Sequence, residues 1–374
     1  MLGTRPIHAI HVIEPASFGG AESVVMALSE GAASHGLRIS VAAIVQDAAA
    51  PLAFPRLREA GITVIEIRQG RRHYLSEVRA LASLFRELRP DIVHTHVYHA
   101  DLVGTLAARV VGIPSVATVH GWVGGDWRNR LYERVDLLVL RLAHCVLCVS
   151  EPAALRVRAA GLKEDRVRVV PNGWSGTQFV PRAVARERLG LTPDDVAVGW
   201  IGRLSEEKGP DLLLDAMLPW VSTGRRLVIV GDGAMRDALN SRIDAAGVEQ
   251  HVTLAGAHPD AGRLMPAFDA VVLSSRTEGV PMVMLDAMAA RVPIVAFAVG
   301  GIPSVLDPSA AWLVPAGDTV ALRAAVSAAT TGRDAALLKS EVAAKTLTSQ
   351  FGLDRWLRDV YSVYEHVLQG LRAR

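Results

Sequence analysis

At 374 residues, half of them apolar, the chain is too long for one ordinary hydrophobic core and matches two domains. Lys and Arg exceed Asp and Glu by only two, 40 against 38, which excludes a sequence-wide attraction to nucleic acid; a charged partner must be met locally. Aromatic residues are scarce and Ala, Val, Leu and Gly dominate, the composition of strands buried on both faces beneath covering helices, so an α/β fold is expected.

Residues 1–15 lack the basic segment, apolar run and small-residue cleavage site of a signal peptide, so the protein is expected in the cytoplasm. Short apolar runs at 7–13, 39–45, 63–67, 92–96, 115–119 and 145–149 alternate with helical patterns, the rhythm of a parallel, doubly wound sheet. After the first run come Gly19 and Gly20, with a helix expected from about Ala21 to near Gly36. Two glycines there let an anionic ligand approach free backbone NH groups, or form a plain tight turn. Arg68, Arg71, Arg72, His73 and Tyr74 follow the third run and fit an acceptor phosphate, an anionic membrane surface or a solvated loop.

His94, His96 and His99 invite a metal-site reading, but only Asp101 stands near to complete a ligand set, so hydrogen-bonded histidines are preferred. Thr118-Val119-His120-Gly121-Trp122 ends a strand with a histidine able to hydrogen-bond a sugar or tune its leaving group, a weak signal alone. Residues 135–149 are broken by Arg141 and His144, well short of a membrane span. Cys145 and Cys148, three apart on a buried strand, point to opposite faces and read as core thiols. Beyond a run at 167–170, Pro171-Asn172-Gly173 marks a turn, and the polar stretch 175–195 reads as a link between domains.

The rhythm resumes at 196–201, 226–230, 251–255, 270–273, 294–297 and 311–314, implying a second sheet of the same type. In such sheets ligands bind beyond the carboxyl ends of the strands. Gly202-Arg203-Leu204-Ser205-Glu206-Glu207-Lys208-Gly209-Pro210 places two cations beside a helix start, a diphosphate site; a solvated turn paired with Glu206 and Glu207 is the alternative. No Asp-x-Asp pair, a motif of many metal-dependent sugar transferases, occurs in the chain. Ser274 to Met282 carries Glu278, Gly279, Val280 and Pro281 into a helix containing Asp286. Eight residues apart, the two carboxylates cannot share a proton but could hold two ends of an extended ligand; a helix-start Glu278 and a solvated Asp286 would serve no ligand. Gly231-Asp232-Gly233-Ala234-Met235-Arg236 suggests a dinucleotide-dependent oxidoreductase, but Arg236 replaces the third glycine and no acidic residue ends the next strand. Between 353 and 368, Trp356, Val360, Tyr361, Tyr364 and Leu368 recur at helical spacing and require a surface to cover them.

Taken together, Gly19-Gly20-Ala-Glu, Thr-Val-His120-Gly, Val-Pro-Asn-Gly173, Gly-Arg203 with Lys208-Gly, and Glu278-Gly-x-Pro281 resemble the retaining glycosyltransferases of family 4, in order and spacing, over essentially the whole chain. The resemblance implies a GT-B fold, two Rossmann-like domains facing across a cleft: an acceptor-side domain at 1–174, a nucleotide-sugar domain at 175–352, and a helix at 353–374 crossing back onto the first. It implies that Arg203 and Lys208 bind the donor diphosphate, that the Gly19-Gly20 loop closes over it, and that Glu278, beside Gly279, Val280 and Pro281, contacts sugar hydroxyls. His120 would face the transferred sugar, making His120, Glu278, Arg203 and Lys208 the catalytic set, with no metal and no cofactor beyond the donor. His96, Trp122, Arg71 and Arg72 are the acceptor-side candidates.

The family usually has Glu where this chain has Asp286, expected at the ribose; Gly where Arg291 stands; and an acidic residue at Ser304. The implied activity is retaining transfer from a UDP- or GDP-sugar to the hydroxyl of a sugar, lipid-linked or small-molecule acceptor, with peripheral attachment to the inner face of a membrane left open. A GT-B epimerase or a noncatalytic sugar-nucleotide-binding subunit are the competing functions.

Overall fold

The computed structural model describes residues 5–15, 20–45, 53–59, 61–68, 73–121, 127–258 and 261–372. The chain divides into two compact units, Met1–Ser175 with Gly352–Arg374, and Gly176–Phe351.

The first unit contains β1 (Ile7–Ile13), β2 (Leu37–Val45), β3 (Thr63–Arg68), β4 (Ile92–His96), β5 (Ser115–Val119), β6 (Cys145–Cys148) and β7 (Val167–Val169). All pair in parallel in the order β3-β2-β1-β4-β5-β6-β7. Parallel strands need helical crossovers, and with helices on both faces the strands lose contact with water, which is why β1, β2, β4 and β5 read as nearly continuous apolar runs. Gly104 lets the helix Tyr98–Val111 settle onto the sheet, since a Cβ there would lie 2.7 Å from the Thr95 methyl. Cys145 and Cys148 are buried free thiols, both raised in pKa by burial, to about 11 and about 12.

The helix Leu353–Arg372 belongs to this unit and packs on the helix Gly20–Gly31. Its buried face is Trp356, Leu357, Val360, Val363, Tyr364 and Val367, a wider stripe than the spacing predicts, with Tyr361 and Leu368 at its half-buried margin. Gly173 admits the Trp356 indole, 2.7 Å from where a Cβ would stand.

The second unit contains β8 (Val196–Ile201), β9 (Arg225–Val230), β10 (Val252–Gly256), β11 (Ala270–Leu273), β12 (Ile294–Phe297) and β13 (Trp312–Val314), all parallel in the order β10-β9-β8-β11-β12-β13. The polar stretch expected to be a link proves to be structured: it includes the helix Arg182–Arg188, whose Arg186 is only 4% exposed. Its guanidinium spans carbonyls of Thr192, Asp195 and Ala267, giving a buried cation enough acceptors to hold the segment onto the unit. In each sheet the strand order reverses beside the first strand, opening a crevice beyond the carboxyl ends of β1 and β4, and another beyond β8 and β11. Among the described residues no helix is long and apolar enough to cross a membrane.

Candidate active site

Beyond β8 and β11 two loops are built against each other. The loop after β8 rests on the loop after β9: Leu204 N donates to Asp232 O at 2.9 Å and Met235 N to Leu204 O at 3.0 Å. A Cβ on Gly231 or Gly233 would strike the carbonyl of Gly202 or Leu204. The glycines that suggest a dinucleotide motif thus form the platform under Arg203.

Arg203 donates to Glu207 Oε1 at 2.8 Å, and Glu207 also accepts from the Ser205 hydroxyl at 2.6 Å. The Arg203 Nε is buried without a hydrogen-bond partner among the described residues. Lys208 Nζ donates to Glu278 Oε1 at 2.6 Å, and Ser275 Oγ donates to the same oxygen at 2.7 Å. Glu278 is 7% exposed and Lys208 28%, so the pair is partly withdrawn from water and fixed in place. Ser274 joins the loops, accepting the Trp200 indole N–H at 3.0 Å and donating to Gly209 O at 2.8 Å. Gly209, at φ 61°, and Gly300, at φ 54°, are required twice over: both backbones are left-handed, and a side chain would collide with the carbonyl of Ser274 or Glu278.

The structure redistributes the anion-binding groups that the sequence suggests. The helix Pro210–Met217 has its first turn occupied by its own Asp211, which Arg276 grips through two bonds of 2.8 and 2.6 Å. The Arg276 hydrogen bond holds the Asp211 carboxyl below its usual range, with the first-turn amides of Asp211 and Leu212 adding to it. Neither helix has a side-chain cap, but the helix Met282–Ala289 carries no acidic residue in its first turn, so its amino end, next to buried Gly279, Val280 and Pro281, is the more electropositive terminus. Asp286 accepts from Thr177 Oγ1 at 2.6 Å and lies against Gly262. It is therefore held by groups of its own unit that the sequence spacing does not reveal, not left solvated.

In the first unit, β1 and β4 themselves carry buried aromatic polar groups that lead toward the carboxyl ends of the strands. His96 Nδ1 is 2.9 Å from His120 Nε2, and His96 Nε2 is 2.9 Å from His11 Nδ1. Tyr364 Oη lies 3.2 Å from His11 Nε2 and 2.5 Å from His94 Nδ1. Burial drives the His11 pKa down to about 3 and that of His120 to about 4, and His94 and His96 fall well below the ordinary value for the same first reason. Nitrogens of His11, His94 and His96 come within 4.8 Å of one another, near enough for a metal, yet both nitrogens of each ring are already hydrogen-bonded. His99 stands apart: its Nε2 lies 2.7 Å from buried Glu77, and its Nδ1 lies 3.1 Å from Glu14. Burial opposes charge on His99, but the two carboxylates outweigh it and raise its pKa.

Gly20 is the first residue of the helix Gly20–Gly31; Gly19, Arg71, Arg72 and Trp122 lie outside the described residues. His11, Tyr364, Glu207, Ser274 and Ser275 complete the two clusters; from sequence Glu207 stands out only as a partner of the basic turn and Tyr364 only as part of a helical stripe. Only the loop residues among them carried a signal of a site, lying inside motifs already suspected.

Two doubly wound parallel sheets, each with a polar cluster at its switch point, define the GT-B class. The chain of similar fold from Anabaena, Alr3699/HepE in complex with UDP-glucose, aligns at a TM-score of 0.84 over 96% of this chain and 100% of that one, at 20% identity. The family model described as Glycosyltransferase Family 4 matches residues 18–175, and that described as Glycosyl transferases group 1 matches 195–331. A 2-deoxystreptamine N-acetyl-D-glucosaminyltransferase of Streptomyces fradiae is 30% identical over 82% of this chain and 77% of its own length. A D-inositol 3-phosphate glycosyltransferase of Segniliparus rotundus is 31% identical over 58% of this chain, a match that spans about half of that relative, 52%. The chain belongs to glycosyltransferase family 4, within the group 1 glycosyl transferases.

Proposed function

We propose that the protein transfers a sugar from a nucleoside-diphosphate donor to an acceptor hydroxyl, with retention of anomeric configuration and without a metal. The observation that carries this reading is the buried, unpartnered Nε of Arg203, on the loop that also carries Lys208. A buried donor left unpaired costs about 1–3 kcal/mol, a cost that an incoming phosphate oxygen would remove. Arg203 and Lys208 then stabilise the charge that accumulates on the departing diphosphate. Glu278 orients Lys208 and receives sugar hydroxyls; Gly19 and Gly20 close over the phosphates, and Asp286 takes the ribose.

The acceptor hydroxyl attacks from the face the diphosphate leaves, through an oxocarbenium-like state, and a donor phosphate oxygen takes its proton. His120 faces the transferred sugar, with His96, Trp122, Arg71 and Arg72 on the acceptor side. A UDP-sugar is the preferred donor over a GDP-sugar, in keeping with the UDP-glucose held by the Anabaena structure. A sugar, lipid-linked or small-molecule acceptor fits, the last in keeping with the aminocyclitol in the name of the Streptomyces relative.

The test is a panel of nucleotide sugars, scored for hydrolysis and for protection against heat, followed by NMR of the product's anomeric centre. Retained configuration with one preferred donor is expected. Inversion, or epimerisation of the donor's sugar in the absence of any acceptor, would replace this reading with an inverting transferase or an epimerase.

A further inference from the structure

Four histidines of the first unit form a line, and its two ends differ. From the outside inward, it runs His120, His96, His11, Tyr364, His94 and Thr118, the last contact being His94 Nε2 to Thr118 Oγ1 at 2.6 Å. His11, His94 and His96 are at most 1% exposed, and Tyr364 is fully buried. A neutral imidazole has one N–H and one lone pair, so each inner ring must donate on one side and accept on the other. A hydroxyl placed between two rings does the same, because accepting from both would leave the hydrogen of the fully buried Tyr364 hydroxyl without an acceptor. The line therefore has one sense throughout, and reversing any bond reverses them all.

Two arrangements remain. In the outward sense, the Thr118 hydroxyl donates to His94, and the sequence of donations ends with His96 Nδ1–H to His120 Nε2. The His120 proton then sits on Nδ1, which has no partner among the described residues. In the inward sense, His94 donates to Thr118, whose own hydroxyl hydrogen then has no acceptor among the described residues. Thr118 is 6% exposed, so that orphaned hydrogen would be buried, with its desolvation uncompensated. The outward sense leaves no such buried group, since the Nδ1 that it leaves unpaired belongs to His120, which is only half-buried. Its consequence runs against the intrinsic bias of a histidine side chain, which in water favours the proton on Nε2.

We propose that Thr118, His94, Tyr364, His11 and His96 are positioning residues that hold His120 in its Nδ1–H form, so that it offers the transferred sugar a hydrogen-bond donor. The proposal rests on the reading of His120 as the residue facing that sugar. It adds a role for the helix Leu353–Arg372, which supplies the hydroxyl that joins the two halves of the line. Such outer groups typically change activity by about 10–100-fold when removed from an analogous ligand-orienting role.

The measurement is the 15N spectrum of histidine-labelled protein without substrate, with His120 assigned by the signal lost in His120→Gln. A protonated Nδ1 and an unprotonated Nε2 are expected for His120. Thr118→Val, which removes the directing hydroxyl, should shift His120 toward the Nε2–H form, and Thr118→Ser should restore the original pattern. Tyr364→Phe, which cuts the line elsewhere, should act like Thr118→Val. In turnover assays, Thr118→Val should lower kcat by about tenfold with donor KM nearly unchanged. An Nε2–H His120 in the unmodified protein, or an unaltered His120 tautomer in both Thr118→Val and Tyr364→Phe, overturns the proposal. Because the tautomer is read without substrate, its failure is distinct from a failure of the transferase reading, which the donor panel reports.

Discussion

The switch points at β1 and β4 and at β8 and β11 occupy equivalent places in two sheets of the same sense, yet the chemistry gathered at them is opposed. The second unit sets Arg203 and Lys208 against Glu207 and Glu278, four groups that are charged in pairs and partly open to water. The first sets His11, His94, His96 and His120 against one another as neutral rings, deprived of water. Topology therefore chooses where a site can form, while the few residues at the strand ends choose whether it meets a ligand with charge or with directed hydrogen bonds.

The largest expected effect separates the units by acid. The unfolded rings take up protons near pH 6.5, whereas His11 and His120 resist until about pH 3 and 4, and His94 and His96 are lowered likewise. Depressed folded-state values give stability that is complete above pH 6.5 and lost as pH falls through that value toward the folded ones, about 1.4 kcal/mol per pH unit for each ring. His8 is lowered as well, chiefly by burial, while His99, raised by its carboxylates, works in the opposite sense, one ring against five. Hydrogen exchange followed from pH 7 to 4 should show the first unit losing protection before the second; the reverse order would break the contrast. Next in size, Arg203→Ala or Lys208→Ala should each cost about 2–4 kcal/mol of barrier, a hundredfold or more in kcat, and near-normal turnover in both would refute the charged cradle.

Smaller effects sharpen the comparison through the backbone. Val97, directly after β4, has φ 65° and ψ 154°, a conformation nearly reserved for glycine, and Arg291 in the second unit has φ 53°. Val97→Gly should stabilise the protein by about 1 kcal/mol and Arg291→Gly by about half as much, after the entropy cost of glycine, as read from denaturant midpoints. The Arg291–Glu341 pair, at 3.1 Å and well exposed, offers little to offset the second gain. Destabilisation by Val97→Gly would mean that its side chain holds the turn beside His96 in place. Smallest of all, excess chelator should leave activity unchanged; a loss restored by zinc would turn His11, His94 and His96 from a hydrogen-bonded line into a metal site.

Much of this was legible before the structure, and for definable reasons. Buried parallel strands are written as apolar runs, so β1, β4, β5, β8, β11 and β12 fall at the expected residues. The loops around Arg203 and Glu278 stood out because their glycines and prolines mark sharp turns at strand ends. Long-range partnerships were not legible. His11 and Tyr364 are 353 residues apart, and each alone looks like an ordinary member of an apolar strand or an amphipathic helix. Thr177 and Asp286, 109 apart, meet through a fold-level approach that local spacing does not encode. Nor does sequence tell which helix start already meets a carboxylate: neither start has a side-chain cap, but Asp211 sits against the first-turn amides of one, while the other has no acidic residue in its first turn.

The helix Leu353–Arg372 has one more consequence, for the order in which the polypeptide matures. Residues 176–351 are synthesised as one uninterrupted stretch and own their whole sheet, whereas the first unit lacks its last element until the ribosome has passed them. During translation the second unit can complete its core while His11 and His94 still await the Tyr364 hydroxyl, and the neighbouring helix Gly20–Gly31 keeps an uncovered apolar flank. The earliest-made half of the protein is thus the last to close.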